Sequence, residues 1–459
     1  MFIMTSLIDI TENQDIFQRH LIEYLPIKDF VSLLSVSKRF RPRINDSTCW
    51  KILCQRDFGV EKNEAPEYNP HTKSFDNLRQ HKNHRDLYRQ WSKWRHQTCN
   101  GINPRDMIHA INIWSRFKMA LRKQKLTRVL DSLEPPPSRE FFERTAGILP
   151  SSLVAFYAVH AGQCNLTPQS SDDEFFAGMW GSYSCYNSFY SMRLMLARES
   201  VTEWITPTSV IIGMNLGYPR TLLVLDFGSD QGPDGSMYFG CPPNTRHLVY
   251  RGGILSYFEA YTERLEQEVY RPSIIHPDSP SSLGLCLFPE SGDMASVSVT
   301  NGVEVRASAR WFPDRMHGEM NFGYSIRMKV VANASDDEAV SYQLVDRNWE
   351  FHYEDGTINR VQGEGVIGKQ PILFRQNNVF GFIDMGPAGT GETNLNSVFT
   401  YQSQSGPAPG TSSSDITNTT RAFVRGTFGF RPGSIDAPTG PLFLVTVAEF
   451  PLRVTLPFY

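Results

Sequence analysis

The stretch "VQGEGVIGKQP", residues 361–371, carries a Gly-x-Gly-x-x-Gly at Gly363, Gly365 and Gly368. In a dinucleotide-binding fold the third glycine opens a helix whose amide end receives the pyrophosphate. Here "KQPILF" follows, and Pro371 with an apolar run behind it reads as a turn into another strand. The glycines are therefore expected to allow a tight or bulged β connection rather than a phosphate cradle. Two other strings, "HRDL" at 84–87 and "LDFG" at 225–228, resemble pieces of a protein kinase, but they stand in the wrong order around the glycines. Trp91 also occupies the place of the asparagine that a kinase catalytic loop needs, so the matches are chance.

Outward from that stretch the hydrophobic period is two. "ASVSVTNGVEVRA" alternates on both sides of Asn301-Gly302, a dipeptide suited to a hairpin turn in which both central residues need positive φ. "FGYSIRMKV" alternates through Phe322, Tyr324, Ile326, Met328 and Val330, "WEFHYEDGTINRV" turns at Asp355-Gly356, and "PLFLVTVAEFPLRVTLPF" closes the chain in strands. Many short strands with turn signals predict a β-sandwich over 285–459. Within it, 402–420 is rich in Ser, Gly, Thr and Pro and is expected to be a long mobile loop.

Upstream the pattern changes to helix. Ile16, Phe17, Leu21, Ile22 and Leu25 recur at helical spacing before Pro26; Phe30, Leu33, Leu34, Val36 and Phe40 follow, and then Trp50, Ile52 and Leu53. Such short apolar-rich helices enclose little core, so a partner surface is expected over 10–58. Residues 79–128 hold thirteen Lys and Arg against Asp86 and Asp106. Met107, Ile111, Trp114, Phe117 and Leu121 fall on one face of the second half, and the stretch 59–137 reads as a helical basic linker ending near "EPPPS", 134–138. Over 138–272 helical and strand signals mix, which predicts an α+β domain.

The 459 residues suffice for about three domains. With 45 basic against 48 acidic side chains no global field points to nucleic acid or membrane. The seven cysteines are odd in number and lack a Cys-x-x-Cys pair, as expected of reduced thiols in the cytoplasm or nucleus. His81 and His84 lack a third ligand of recognisable type, and neither a Gly-x-Ser-x-Gly elbow nor a His-Glu-x-x-His occurs. No catalytic residue, metal or cofactor is expected.

Three resemblances lie in order along the chain. "DIFQRHLIEYLPIKDFVSLLSVSKRFRPRINDSTCW" resembles an F-box through Leu25, Pro26, Asp29, Phe30, the Val36-Ser-Lys-Arg-Phe40 string and Trp50, although Asn13-Gln14 stands where the family opens with Leu-Pro. "ILPSSLVAFYAVHAGQ" resembles the signature of a SUKH-type domain at Leu149, Pro150, Leu153, Phe156, Tyr157, His160, Gly162 and Gln163. The glycine stretch, with Trp349 before it, resembles the ApaG domain, a fibronectin-like sandwich. An all-α F-box, an α+β SUKH-type domain and an all-β ApaG sandwich in this order resemble the arrangement of the F-box only protein three family and its plant relatives.

That resemblance implies a non-catalytic substrate receptor of an SCF-type ubiquitin ligase, directing bound proteins to ubiquitination and proteasomal degradation. The expected partners are the Skp adaptor and, through it, cullin and the RING subunit, with an unidentified protein substrate and no membrane. Phe17, Leu21, Ile22, Leu25, Pro26, Phe30, Leu33, Leu34 and Trp50 are expected to face the adaptor. Tyr157, His160 and Trp349 are expected in the core, while Gln163 and Trp180 are the residues expected to contact substrate. Two other readings stay open: a scaffold without ligase function, which the missing Leu-Pro motivates, and RNA binding through 79–128.

Overall fold

The computed structural model describes residues 24, 26–36, 47–71, 73–98, 101–145, 147–164, 175–185, 188–200, 204–217, 221–240, 247–276, 281–313, 320–331, 340–376, 379–386, 391–395, 398–407 and 420–454. Among the described residues the first elements of more than one residue are helices α1 (Ile27–Val36) and α2 (Ser47–Phe58). An antiparallel hairpin, β1 (Glu64–Asn69) with β2 (Ser74–Gln80), comes next. It is followed by α3 (His84–Gln97), α4 (Pro104–Lys123), α5 (Thr127–Asp131), α6 (Arg139–Thr145) and α7 (Ser151–Tyr157).

A mixed stretch contains β3 (Ser182–Cys185), β4 (Ser188–Leu194), α8 (Ala197–Ser200), β5 (Trp204–Thr206) and β6 (Ser209–Asn215). It continues through β7 (Leu222–Asp226), β8 (Ser236–Gly240), β9 (His247–Arg251), α9 (Gly253–Glu266), β10 (Arg271–Ile274) and β11 (Leu283–Cys286). The regular elements among the described residues beyond these are strands: β12 (Ala295–Thr300), β13 (Val303–Pro313), β14 (Met320–Val330), β15 (Val340–Tyr353), β16 (Ile358–Glu364) and β17 (Ile372–Gln376). The last strands are β18 (Val379–Met385), β19 (Gly391–Leu395), β20 (Phe399–Pro407), β21 (Thr420–Pro432) and β22 (Phe443–Arg453).

These elements form two compact units. The first comprises the chain to Lys118 with Leu133–Gly162 and Gly253–Phe258. Its centre follows from the α4 pattern: Met107, Ile111, Trp114 and Phe117 recur every three or four residues and are all buried. The Trp114 ring meets Phe156 of α7 at 5.1 Å and Phe258 of α9 at 4.8 Å, and its indole N–H donates to the Phe156 carbonyl at 3.1 Å. Trp91 and Trp94 of α3 are fully buried, edge to face at 5.0 Å. Residues 59–137 are thus not a helical linker; they contribute a hairpin and a tryptophan-lined core.

The second unit comprises 119–132, 163–252 and the chain from Glu259 on. Among its described residues one sheet runs β10-β11-β3-β4-β6-β7-β8-β9, with β5 on β6. Two antiparallel sheets, β12-β13-β14-β20 and β19-β18-β17-β15-β21-β22 with β16 on β15, follow. Trp349 is buried among Phe428 (5.4 Å), Tyr324 (5.8 Å) and Phe450 (6.3 Å). Asn301 and Gly302 turn the β12–β13 hairpin with φ of 49° and 78°. Residues 402–407, expected in a mobile loop, are β-strand pairing with β14, and 408–419 lie outside the described residues.

Within this unit the sandwich is fastened to the mixed sheet. The buried Arg310 guanidinium of β13 lies 4.2 Å from the Tyr183 ring centre on β3. The Ser184 N–H donates to Gln402 Oε1 at 3.1 Å, and the Cys185 thiol donates to the Ser403 carbonyl at 3.0 Å. Arg327 pairs with Glu290 and donates to Ser308 Oγ at 2.7 Å, while Arg306 donates to the Glu290 carbonyl at 2.7 Å. A desolvated cation over an aromatic face contributes about 2 kcal/mol. Arg310→Leu is therefore expected to lower unfolding stability by about 2 kcal/mol in denaturant titration, with Arg310→Lys recovering only part of it because lysine lacks the planar group.

Candidate functional site

Three places were singled out by sequence, and the structure treats them differently. Of the residues expected to face the adaptor, Phe17, Leu21, Ile22 and Leu25 lie outside the described residues. Phe30, Leu33 and Leu34 fall within α1, and Pro26, exposed, enters it by accepting the Asp29 N–H at 3.0 Å. Beside them Tyr24 is 78% exposed and Val31 of α1 48%, so apolar surface is open to water at this end of the chain. Sequence reading passed over both residues, since neither belongs to the quoted pattern.

Trp50 corrects the expectation. It is buried, and its ring meets Tyr88 of α3 at 5.4 Å, so it fills the chain's own core rather than an adaptor interface. The joint it serves is extensive. The Tyr88 hydroxyl donates to Asp57 Oδ2 at 2.5 Å, Arg56 bonds the same carboxylate, and Arg95 donates to the Asp57 carbonyl at 2.7 Å. Arg95 also lies 4.3 Å from the Phe58 ring, which stacks on Trp91 at 5.9 Å. Burial, with the bond to Asp57 adding to it, pushes the Tyr88 phenol well above its usual range. Asn83 caps the start of α3 by accepting the Asp86 N–H at 2.9 Å, so "HRDL" is a helix first turn.

The second place, at the start of the mixed stretch, is closed. Gln163 is fully buried; its Oε1 accepts the N–H groups of Met179 (2.7 Å) and Leu194 (3.0 Å), and its Nε2 donates to Ser132 Oγ (2.8 Å) and the Ala177 carbonyl (3.0 Å). That amide is saturated by the fold. Trp180 is also fully buried, 5.6 Å from Tyr261. Neither residue presents a surface to a substrate, which corrects the expectation for both. The sequence could not separate a structural glutamine from an exposed one, because four partners far apart in the chain decide it.

His160 lies beside Trp114 at 4.8 Å and donates from Nδ1 to the Glu134 carbonyl at 3.2 Å. Burial pushes its pKa down to about 4; nearby Lys118 acts in the same sense, and the Glu134 bond opposes both. Lys118 is itself paired with Asp76 at 3.2 Å, nearly enclosed.

The third place is the glycine stretch. Val366 and Lys369 exchange backbone bonds at 2.8 and 2.9 Å around Ile367 and Gly368, whose φ values of 44° and 77° mark a hairpin turn of the primed type. Gly365 donates to the Val345 carbonyl and Gln370 to that of Met385, so these amides are spent on the sheet and a strand, β17, follows instead of a helix. Gly365 has φ of 55°, and a Cβ there would meet the Lys369 carbonyl oxygen at 2.4 Å. Gly363 leaves room for the Arg347 guanidinium, which donates to the Gly365 carbonyl at 2.6 Å. The loop is a folding device.

Among the described residues no group of three His, Cys, Asp or Glu is placed to hold a metal ion, and no helix is long and apolar enough to cross a membrane.

Comparison with known proteins agrees with this architecture in part. Residues 313–403 match the ApaG domain family. Over 457 residues the chain is 25% identical to the F-box protein SKIP16 of Arabidopsis thaliana, spanning 91% of this chain and 92% of that protein. It is 38% identical over 79 residues to protein ApaG of Anaeromyxobacter dehalogenans, covering 17% of this chain and 58% of that one. A crystal structure of an ApaA protein from Bordetella pertussis is 22% identical, covers 34% of this chain and 94% of its own, and has a TM-score of 0.21. The chain is thus multidomain, partly helical at its N-terminal end, with a sheet-rich ApaG-like domain at the other and a nearly full-length likeness to an F-box protein.

Two outcomes follow from the buried residues. Trp50→Ala is expected to cost about 3–5 kcal/mol of stability, as an aromatic cavity does, seen as a loss of protease resistance around α2 and α3. Because the His160 pKa is lower folded than unfolded, the unfolded chain binds the extra proton between pH 6.5 and about 4. Its contribution is intact above pH 6.5 and lost as pH falls toward 4. Denaturant titration of His160→Gln against the parent is expected to show a shallower stability loss across that window.

Proposed function

We propose that this chain is the substrate-recognition subunit of an SCF-type ubiquitin ligase. The observation that carries the reading is the likeness to an F-box protein along nine-tenths of both chains, 91% of this one and 92% of the other. In this reading the segment 10–58 docks on a Skp adaptor through α1 and the apolar residues around it: Phe17, Leu21, Ile22, Leu25, Pro26, Phe30, Leu33 and Leu34, joined by the exposed Tyr24 and Val31. Aromatic and aliphatic anchors in a desolvated patch carry most of the energy of such contacts. Cullin and the RING subunit join through the adaptor. The SUKH-type and ApaG domains hold the protein to be modified.

No nucleophile is required of the chain. Tethering substrate and charged ubiquitin-conjugating enzyme in one assembly raises their mutual concentration, to about millimolar for short flexible linkers. What the receptor supplies is proximity and orientation. The RNA reading finds less support, because Trp91, Trp94, Trp114 and Phe117, the aromatic residues of the basic segment best suited to stack on bases, are buried.

Capture of the full chain with a purified Skp adaptor tests the proposal. Wild type is expected to retain the adaptor, and Pro26→Ala with Val31→Glu to lose at least about tenfold in affinity, since a charge in an apolar docking patch is desolvated without a partner. Circular dichroism should be unchanged, because both positions are exposed. Folded wild-type protein that captures no adaptor would contradict the proposal and favour the scaffold reading.

A further inference from the structure

Several sheet edges in this chain are covered, each by its own device. In the first unit the Glu64 and Pro66 carbonyls of β1 accept from the Trp91 indole (3.1 Å) and the Gln90 amide (2.7 Å) of α3. In the second, Ser296 and Ser298 of β12 donate to carbonyls of β22, Gln402 and Ser403 of β20 meet β3, and β10 carries Pro272, which has no N–H to offer. β16 is different. It pairs with β15, no other strand lies along it among the described residues, and six of its seven residues are exposed. An edge left in this state is a template for another strand.

The ladder fixes which backbone groups of β16 point outward. The Gly365 N–H donates to the Val345 carbonyl and the Tyr353 N–H to the Thr357 carbonyl. In an alternating antiparallel ladder the pairs 347/363, 349/361 and 351/359 then exchange bonds, and the pairs 346/364, 348/362, 350/360 and 352/358 do not. Ile358, Arg360, Gln362 and Glu364 therefore turn N–H and C=O to the open edge, and their side chains share one face with Glu350. Arg347 donates to the Glu364 carbonyl at 3.2 Å, which leaves that oxygen a second lone pair.

The charges on that face are unbalanced in opposite senses at its two ends. Arg425, Glu350 and Arg360 form one rung across β21, β15 and β16. Arg360 Nε lies 2.9 Å from Glu350 Oε1 and Arg425 Nη2 lies 3.0 Å from Oε2, so two guanidiniums share one carboxylate, with His352 Nε2 3.1 Å from it as well. The next rung is neutral, Asn348 with Gln362. Beyond it Asp346 stands directly opposite Glu364, and neither carboxylate has a cation within ion-pair distance among the described residues. Like charges so placed destabilise a sheet.

We propose that β16 is the docking edge for a second copy of this chain, the two β16 strands pairing antiparallel about a two-fold axis at Gln362. In that register Arg360 of each copy stands opposite Glu364 of the other. The cation-rich rung of one copy is continued by the Glu364 and Asp346 carboxylates of the second, and the neutral Gln362 side chains meet at the axis. On the other face Val361, 37% exposed, comes opposite Gly363 of the second copy and loses water. A two-fold requires each surface to complement itself. Arg360, Gln362 and Glu364 meet that requirement, because their charges are antisymmetric about the middle residue. The inference does not depend on the ligase reading.

Sedimentation velocity of the full chain alone, over roughly 1–200 µM, tests the edge. A dimer that grows with concentration is expected. Gln362→Pro is expected to weaken it about tenfold or more while leaving the fold intact, because the Gln362 N–H takes no part in the ladder to β15. Arg360→Glu and Glu364→Arg, each alone, are expected to associate about tenfold or more weakly than wild type, since like charges then face each other. Mixed together, the two charge variants are expected to recover wild-type association, because each exchanged residue meets its opposite. Unchanged melting temperatures show that the variants are folded. Wild type that stays monomeric throughout, a dimer indifferent to these substitutions, or charge variants that remain apart when mixed would overturn the proposal.

Discussion

The carboxylate and carbonyl of Asp57 hold together the end of the chain on which the functional reading rests. One side chain accepts from the Tyr88 hydroxyl and from Arg56, its carbonyl takes Arg95, and the same Tyr88 and Arg95 meet the rings of Trp50 and Phe58, with Trp91 stacked on Phe58. Charge-assisted bonds of this kind are roughly twice as strong as neutral ones. They fix α2 to α3, so α2, with which the F-box-like segment ends, is built into a larger core. A partner bound at that segment would be attached to folded protein rather than to a tail.

A comparable fastening operates in the second unit. Arg310 spans from the sandwich to Tyr183, and Glu290 gathers Arg306 and Arg327. Buried ion pairs add little net stability against apolar packing, but their directional bonds fix geometry, and removing one member is costly. These contacts fix the relation between the mixed sheet and the sandwich, and in the proposed reading a substrate held by one would be held at a set place relative to the other.

Much of this was legible in the sequence, and for identifiable reasons. The sandwich announced itself through period-two alternation and through turns at Asn301-Gly302 and Asp355-Gly356, which register near the tips of β12–β13 and β15–β16. The glycine stretch was readable because Pro371 with the apolar run behind it reads as a turn into a strand, which β17 is. The apolar face of α4 was visible at Met107, Ile111, Trp114, Phe117 and Leu121, all buried. The hairpin β1–β2 was not, since Pro66 and a run of polar residues hide its alternation. The basic charges of 79–128 drew attention from Tyr88 and Trp91, whose partners lie in other elements, and from Trp94, which packs on Trp91. Gln163, Trp180 and Trp50 misled for one physical reason: a polar or aromatic side chain looks the same in sequence whether its partners are protein or solvent, and only tertiary contacts distinguish the two.

The account stands on the claim that α1 and the apolar residues beside it form a docking surface for a Skp-type adaptor. Isothermal titration calorimetry of the full chain with purified adaptor measures this most directly. The expected result is one-to-one binding with Kd of about 1 µM or tighter and a negative heat-capacity change, the mark of apolar burial. Absence of any binding heat across several temperatures, with the two proteins eluting separately from a sizing column at tens of micromolar (about fifty times the expected Kd), would contradict it.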